Sequence, residues 1–227
     1  MNRETRSVTG ETAPAAPVGS HRASEHAFLP HVRPAVVMLL LFTALTGLAY
    51  PLALVVIAQV VMPYQANGSL LLREGKVVGS ALIGQAFTTE RYFQARPSAT
   101  SAPDPKDPSK TIDAPYNAAN SSGSNLGPTS KALMDRIRGD VGKLKTAGAA
   151  VVPADAVTTS GSGLDPHISP AYALLQVPRV AKARKLSEER VRQLVASHTE
   201  LPTLGFLGEP RVNVLELNLA LDALPPS

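Results

Sequence analysis

The chain has 227 residues, with 22 lysines and arginines against 18 acids, five histidines and no cysteine. That length leaves room for one soluble domain beyond a membrane anchor, and the missing cysteines exclude a disulfide framework. A net charge of +4 spread along the sequence does not point to nucleic acid. Residues 1–33, rich in Thr, Ser, Ala, Pro and Glu without apolar clustering, read as a disordered N-terminal tail.

No charged side chain lies between Arg33 and Arg73, and Ala35 to Met62 form one nearly continuous apolar run of 28 residues. As helix this run would span about 42 Å, against a hydrocarbon core of about 30 Å. A cleaved signal peptide carries an apolar stretch of about 7–15 residues near its start. A buried core helix shows a polar stripe. The run fits neither, so residues 34–62 are expected to be a transmembrane helix in a lipid bilayer. Pro51 removes one backbone bond and is expected to kink the helix, with the Thr hydroxyls nearby to compensate. Gly47, Ala49 and Ala53 would let a partner helix approach closely. Arg22 and Arg33 before the span balance Arg73 and Lys76 after it, so charge alone leaves the orientation undecided.

Residues 63–227 are expected to form one mixed α+β domain. Leu70–Arg73 and Lys76–Ile83, separated by Glu74-Gly75, read as a hairpin with glycine in its turn. Leu133, Met134, Ile137, Val141 and Leu144 recur at helical spacing over 129–145, with Pro128 at the start and Gly148 at the exit. A helix over 170–185 is expected to break near Pro178. Ser187 caps another that runs to about His198, with Glu188 and Glu189 in its first turn. The last helix covers 213–223, and the longest Pro, Ser and Gly stretch between elements is 97–130.

Candidate chemistry is sparse. The loop from Gly123 to Thr129 lacks the lysine and the spacing of a phosphate-binding loop, although its amides would suit an anion-binding nest. Ser160, Ser162, Asp165, His167 and Ser169 cluster within ten residues, which suggests a serine hydrolase built on Ser162 and His167. A nucleophilic triad normally converges from distant positions on a rigid frame, so a structural turn is the better reading. The histidines at 21, 26, 31, 167 and 198 show no ligand spacing, and no metal site is expected. Arg179, Lys182, Arg184, Lys185, Arg190 and Arg192 form a local basic excess. It reads as a solvated helical face, or else as a docking surface for an acidic partner or lipid head groups. Tyr92-Phe93 with Arg96-Pro97-Ser98 are expected to pack the hairpin onto the helices, with Arg96 bonding loop carbonyls.

Eight segments in this order resemble the C subunit of the Kdp-type high-affinity potassium-transporting ATPase over about residues 33 to 224. They are Ala66-Asn67-Gly68-Ser69-Leu70, Gly79 to Gln85 with Phe87, Tyr92-Phe93 with Arg96 to Thr100, and Pro115-Tyr116-Asn117. The others are Ser122 to Leu126, Ser162 to Asp165, Gln176 to Arg184, and Val212 to Leu221. The leader and the stretch Pro103 to Ala114, which looks like a solvated insertion, depart from the pattern. The resemblance implies a non-catalytic accessory subunit, with no catalytic, cofactor-binding or metal-binding residue of its own. Its partners would be a potassium-channel-like subunit and a P-type ATPase subunit. It would stabilise the complex and raise the ATPase subunit's affinity for ATP. The resemblance also implies a single-pass protein of the cell membrane, with its N-terminus in the cytoplasm and its soluble domain outside. Such a domain cannot touch cytoplasmic ATP, so the nucleotide effect would pass through the partner. Gln85, Asn125 and Gln176 are the candidate nucleotide contacts, and none stands out.

Overall fold

The structure, a computed structural model, describes residues 28–225. Most of the expected N-terminal tail therefore lies outside the described residues. The chain divides into two units, one ending at Ile57 and the other starting at Ala58.

The first unit is built on helix α1, Leu29–Val61, which begins before Pro34, where the sequence places its start. At 33 residues it reaches about 50 Å. Its large apolar side chains, from Val36 to Ile57, point outward all round, as in a helix solvated by lipid. The expected irregularity at Pro51 takes the form of a π-helical turn over Leu45–Ala49, just before the proline. The wider turn lets Tyr50 N–H reach Leu45 O, and the Thr46 hydroxyl donates to Phe42 O at 2.7 Å. Both bonds hold the turns just before the proline.

The second unit opens with the end of α1 and one further helical turn, α2 (Pro63–Ala66). Gln59 and Asn67 exchange amide hydrogen bonds at 3.1 and 3.3 Å, which satisfies the one amide side chain of the apolar run. Strands β1 (Leu70–Arg73) and β2 (Lys76–Ser80) form the expected hairpin, although β2 stops before Ile83. Both turn residues take positive φ, 53° at Glu74 and 76° at Gly75. This is the twist-matched two-residue turn in which glycine costs least.

A second hairpin, β3 (Ser101–Asp104) and β4 (Asp107–Asp113), covers most of the Pro103 to Ala114 stretch that reads as a solvated insertion. It is solvated as expected, but it is paired. Pro103, Pro105 and Pro108 hide it, because proline cannot donate to a ladder and argues against a strand. Here the pairing survives on exposed edges, with an irregularity at Pro103/Asp104.

Helix α3, Lys131–Thr146, is capped by the Ser130 hydroxyl, which accepts from Leu133 N; Pro128 lies before the cap and not at the first helical position. At its exit Ala149 N–H bonds Leu144 O and Gly148 N–H bonds Lys145 O, the paired bonds of a Schellman end. Helix α4, Pro170–Arg184, runs straight through Pro178, against the expected interruption. The carbonyl left without its donor belongs to Leu174, an exposed residue, and a carbonyl on a solvated flank can bond water in place of the lost donor. Helices α5 (Glu188–Ser197, capped by Ser187) and α6 (Val214–Asp222, capped by Asn213) stand as expected.

Three very short strands tie these helices together. β5 (His167–Ile168) and β6 (Thr199–Glu200) each pair antiparallel with the central β7 (Arg211–Asn213). The sheet holds the start of α4, the exit of α5 and the start of α6 in register. The core lies between the helices: Ala173, Val177 and Val180 of α4, Val191 and Val195 of α5, and Leu217 and Leu221 of α6, joined by Phe93 and Val212. The fold is α+β.

Candidate functional site

The longest stretch without helices, 67–130, carries many backbone groups outside its two hairpins that no ladder pairs, and buried groups of that kind require partners. Side chains from α4 and α6 supply them. Asn218, only 2% exposed, accepts from Phe93 N–H and donates to Phe93 O, both at 2.9 Å. Gln176 does the same for Gln94, at 2.7 and 3.0 Å. Two carboxamides thus pair two successive residues as a neighbouring strand would. Phe93, fully buried, then drops into the core between the two helices.

Two arginines extend the clamp. Arg179 donates to Glu90 O, Tyr92 O and the Gln176 amide oxygen. Arg184 donates to Arg91 O and pairs with Asp222 at 2.6 Å, with its guanidinium 4.8 Å from the Tyr92 ring centre. Tyr92 O–H and Arg73 also donate to Asp222, each at 3.1 Å. Burial pushes the Asp222 carboxyl up, but the bonds from Arg184, Tyr92 and Arg73 outweigh it and hold it below the ordinary range. Half-burial lowers Arg179, opposed by Glu90. So two of the six residues of the basic excess face inward, and Arg192 pairs with Glu188. The excess is not one continuous solvated face.

A second knot centres on Arg96. It bonds Thr158 O at 3.2 Å and Thr159 O at 3.4 Å, as expected, and also pairs with Asp165 at 2.9 Å. Tyr116 O–H closes the ring onto Arg96 O at 2.8 Å. Burial raises Asp165, but bonds from His167 and Arg96 and the Arg96 charge bring it down to about 2. Burial and the Asp165 charge push the Tyr116 hydroxyl up.

The five clustered residues do not converge as a nucleophilic site. Ser160 Oγ accepts from Gly163 N–H, and Ser162 Oγ accepts from Leu164 N–H. His167 Nδ1 lies 3.4 Å from Asp165. Ser169 caps α4 and donates to Asp155. The Gly and Ser loops at 121–124 and 160–163 pack on each other, with Ser122 N–H on Ser162 O at 3.0 Å. Gly163 is required there: its φ is +67°, and a Cβ would meet Ser122 O and the Thr100 methyl at 2.6 Å.

Of the candidate nucleotide contacts, Gln85 donates to Val78 O and Gln176 is paired with Gln94, while Asn125 is exposed with φ 51°. Among the described residues no group of three or more His, Asp or Glu is placed to hold a metal ion. Sequence reasoning singled out Arg96 and Gln176 but missed Asn218, whose only signal is a lone amide on the otherwise apolar stripe of α6.

The family described as KdpC, the K+-transporting ATPase c chain, matches residues 32–223. A potassium-transporting ATPase KdpC subunit from Rhodopseudomonas palustris is 66% identical over 196 residues, covering 86% of this chain and 98% of that protein. The KdpC subunit of Bradyrhizobium diazoefficiens is 65% identical over 195 residues, covering 86% and 97%. That of Methylobacterium nodulans is 64% identical over 197 residues, covering 86% and 98%.

Proposed function

The chain belongs to the KdpC family of K+-transporting ATPase c chains, and on that premise we propose that it is the non-catalytic accessory subunit of an ATP-driven potassium uptake pump. Helix α1 anchors it once in the cell membrane, with the N-terminus cytoplasmic and the second unit outside. There it binds the potassium-channel-like and ATPase subunits and stabilises their assembly. Any gain in the ATPase subunit's affinity for ATP passes through the structure of that partner, since Gln85 and Gln176 are bonded to this chain's own backbone.

One observation carries the reading. The side chains of the signature segments that bear chemistry turn inward to hold the chain's own coil, which makes a stiff body suited to contact and not to turnover. Coexpression with the other pump subunits is expected to yield one stoichiometric complex through affinity and sizing steps. Recovery of this chain alone would overturn the proposal. For the topology, Lys106→Cys places a single thiol on the exposed β3–β4 turn of a chain without cysteine. A membrane-impermeant maleimide should label it in intact spheroplasts. Labelling only after lysis would put the unit in the cytoplasm.

A further inference from the structure

A cavity of about 520 Å³ lies between the end of α3, helix α4 and the clamped coil at 90–94. Its apolar wall includes Leu144, Ala149 and Leu175, and its charged rim holds Lys143, Arg179 and Glu90, with Asp140 paired to Lys143 in the adjoining recess. That volume falls within the range of about 300–1,000 Å³ that small-molecule sites occupy. Tyr172 is the telling residue. It is 6% exposed, and its hydroxyl has no hydrogen-bond partner among the described residues. Tyr172 lines both this cavity and an adjoining recess of about 370 Å³. Tyrosine hydroxyls on buried residues normally find a partner, and this one is not sealed from solvent, so a partner can reach it from outside the core. In the same domain Gln176, Asn213 and Asn218 each do so.

We propose that this cavity is a binding site for a small amphiphilic carboxylate, whose apolar body lies on Leu144, Ala149 and Leu175 and whose carboxylate accepts the Tyr172 O–H. Lys143, which pairs with Asp140 at 3.0 Å, adds attraction from the rim. Arg179 keeps its carbonyl bonds and contributes field only. Burial raises the phenol above its ordinary value, so Tyr172 remains an O–H donor at neutral pH. The clamp residues Gln94 and Gln176 line the same cavity, so an occupant would also brace the segment that Phe93 anchors.

The test uses the full chain in lipid nanodiscs, equilibrium dialysis with radiolabelled 4-phenylbutyrate, and empty nanodiscs as the blank. Saturable binding is expected, weakened about tenfold by Tyr172→Phe, which removes a charge-assisted hydrogen bond and nothing else. Lys143→Gln should weaken it less and reduce its salt dependence. The neutral amide of the same acid should bind about tenfold more weakly than the acid. Because the hydroxyl bonds nothing in the protein, Tyr172→Phe should melt at or above the parent temperature. Absence of saturable binding, equal binding of acid and amide, unchanged binding in Tyr172→Phe, or a lowered melting temperature in that variant would each overturn the proposal.

Discussion

Asn218→Leu is expected to destabilise the second unit by about 3–5 kcal/mol, because two buried backbone groups lose their partners at about 1–3 kcal/mol each and the branched side chain must be refitted. Leucine is close in size and belongs to the apolar stripe of α6, so by hydrophobicity alone the change looks harmless. The cost arises on the other side of the contact. Phe93 N–H and Phe93 O sit beside a fully buried ring, where water cannot replace Asn218. Gln176→Leu should cost roughly half as much, because Gln94 is only partly buried and water can reach it. Urea unfolding of the full chain in micelles, followed by circular dichroism, separates the two. A loss below about 1 kcal/mol for Asn218→Leu would mean that the clamp is not what fixes this coil.

That clamp also marks the limit of what can be read along the chain. The helices were legible because apolar spacing and caps are local: Ser187 with its acids, and the stripe from Val214 to Leu221, lie within one or two turns. The Glu74-Gly75 turn was legible for the same reason. The pairing of Asn218 with Phe93 spans 125 residues and that of Gln176 with Gln94 spans 82, and no local pattern announces either. The three-stranded sheet escaped because strands of two or three residues show no alternation. The β3–β4 hairpin escaped because its prolines argue against it. Around Arg96 the carbonyl bonds were foreseeable from an arginine among loops, whereas Asp165 was read with its neighbours Ser162 and His167 and not with a residue on a distant segment. The serine cluster is legible for the same local reason: a structural turn is the better reading of it, and Ser160, Ser162 and Ser169 each close a turn or cap a helix.

Arg96→Leu should lower stability at neutral pH by about 2–3 kcal/mol, below the roughly 3–5 kcal/mol that breaking a fully buried ion pair costs. The smaller figure applies because water reaches both partners: the side chains of Arg96 and Asp165 are 21% and 29% exposed. The loss has two parts, an Asp165 carboxylate left with His167 alone and two carbonyls, of Thr158 and Thr159, without their donor. Acid distinguishes them. The native state holds Asp165 at about 2, while an unfolded aspartate titrates near about 3.9. Between those values the unfolded chain binds more protons, so this contribution is complete above about pH 4 and fades as pH falls toward 2. Removing Arg96 lets the folded carboxyl rise toward its ordinary value, so the variant should lose less stability over that interval. The gap between parent and variant should therefore narrow on acidification, down to the part that belongs to the orphaned carbonyls. Asp222, held low by Arg184, Tyr92 and Arg73, titrates in both proteins and cancels from the difference. Unfolding free energies measured from pH 5 to pH 2 give the comparison directly. A gap that stays constant across that range would assign the whole effect to the carbonyl bonds and none to the Arg96–Asp165 charge pair.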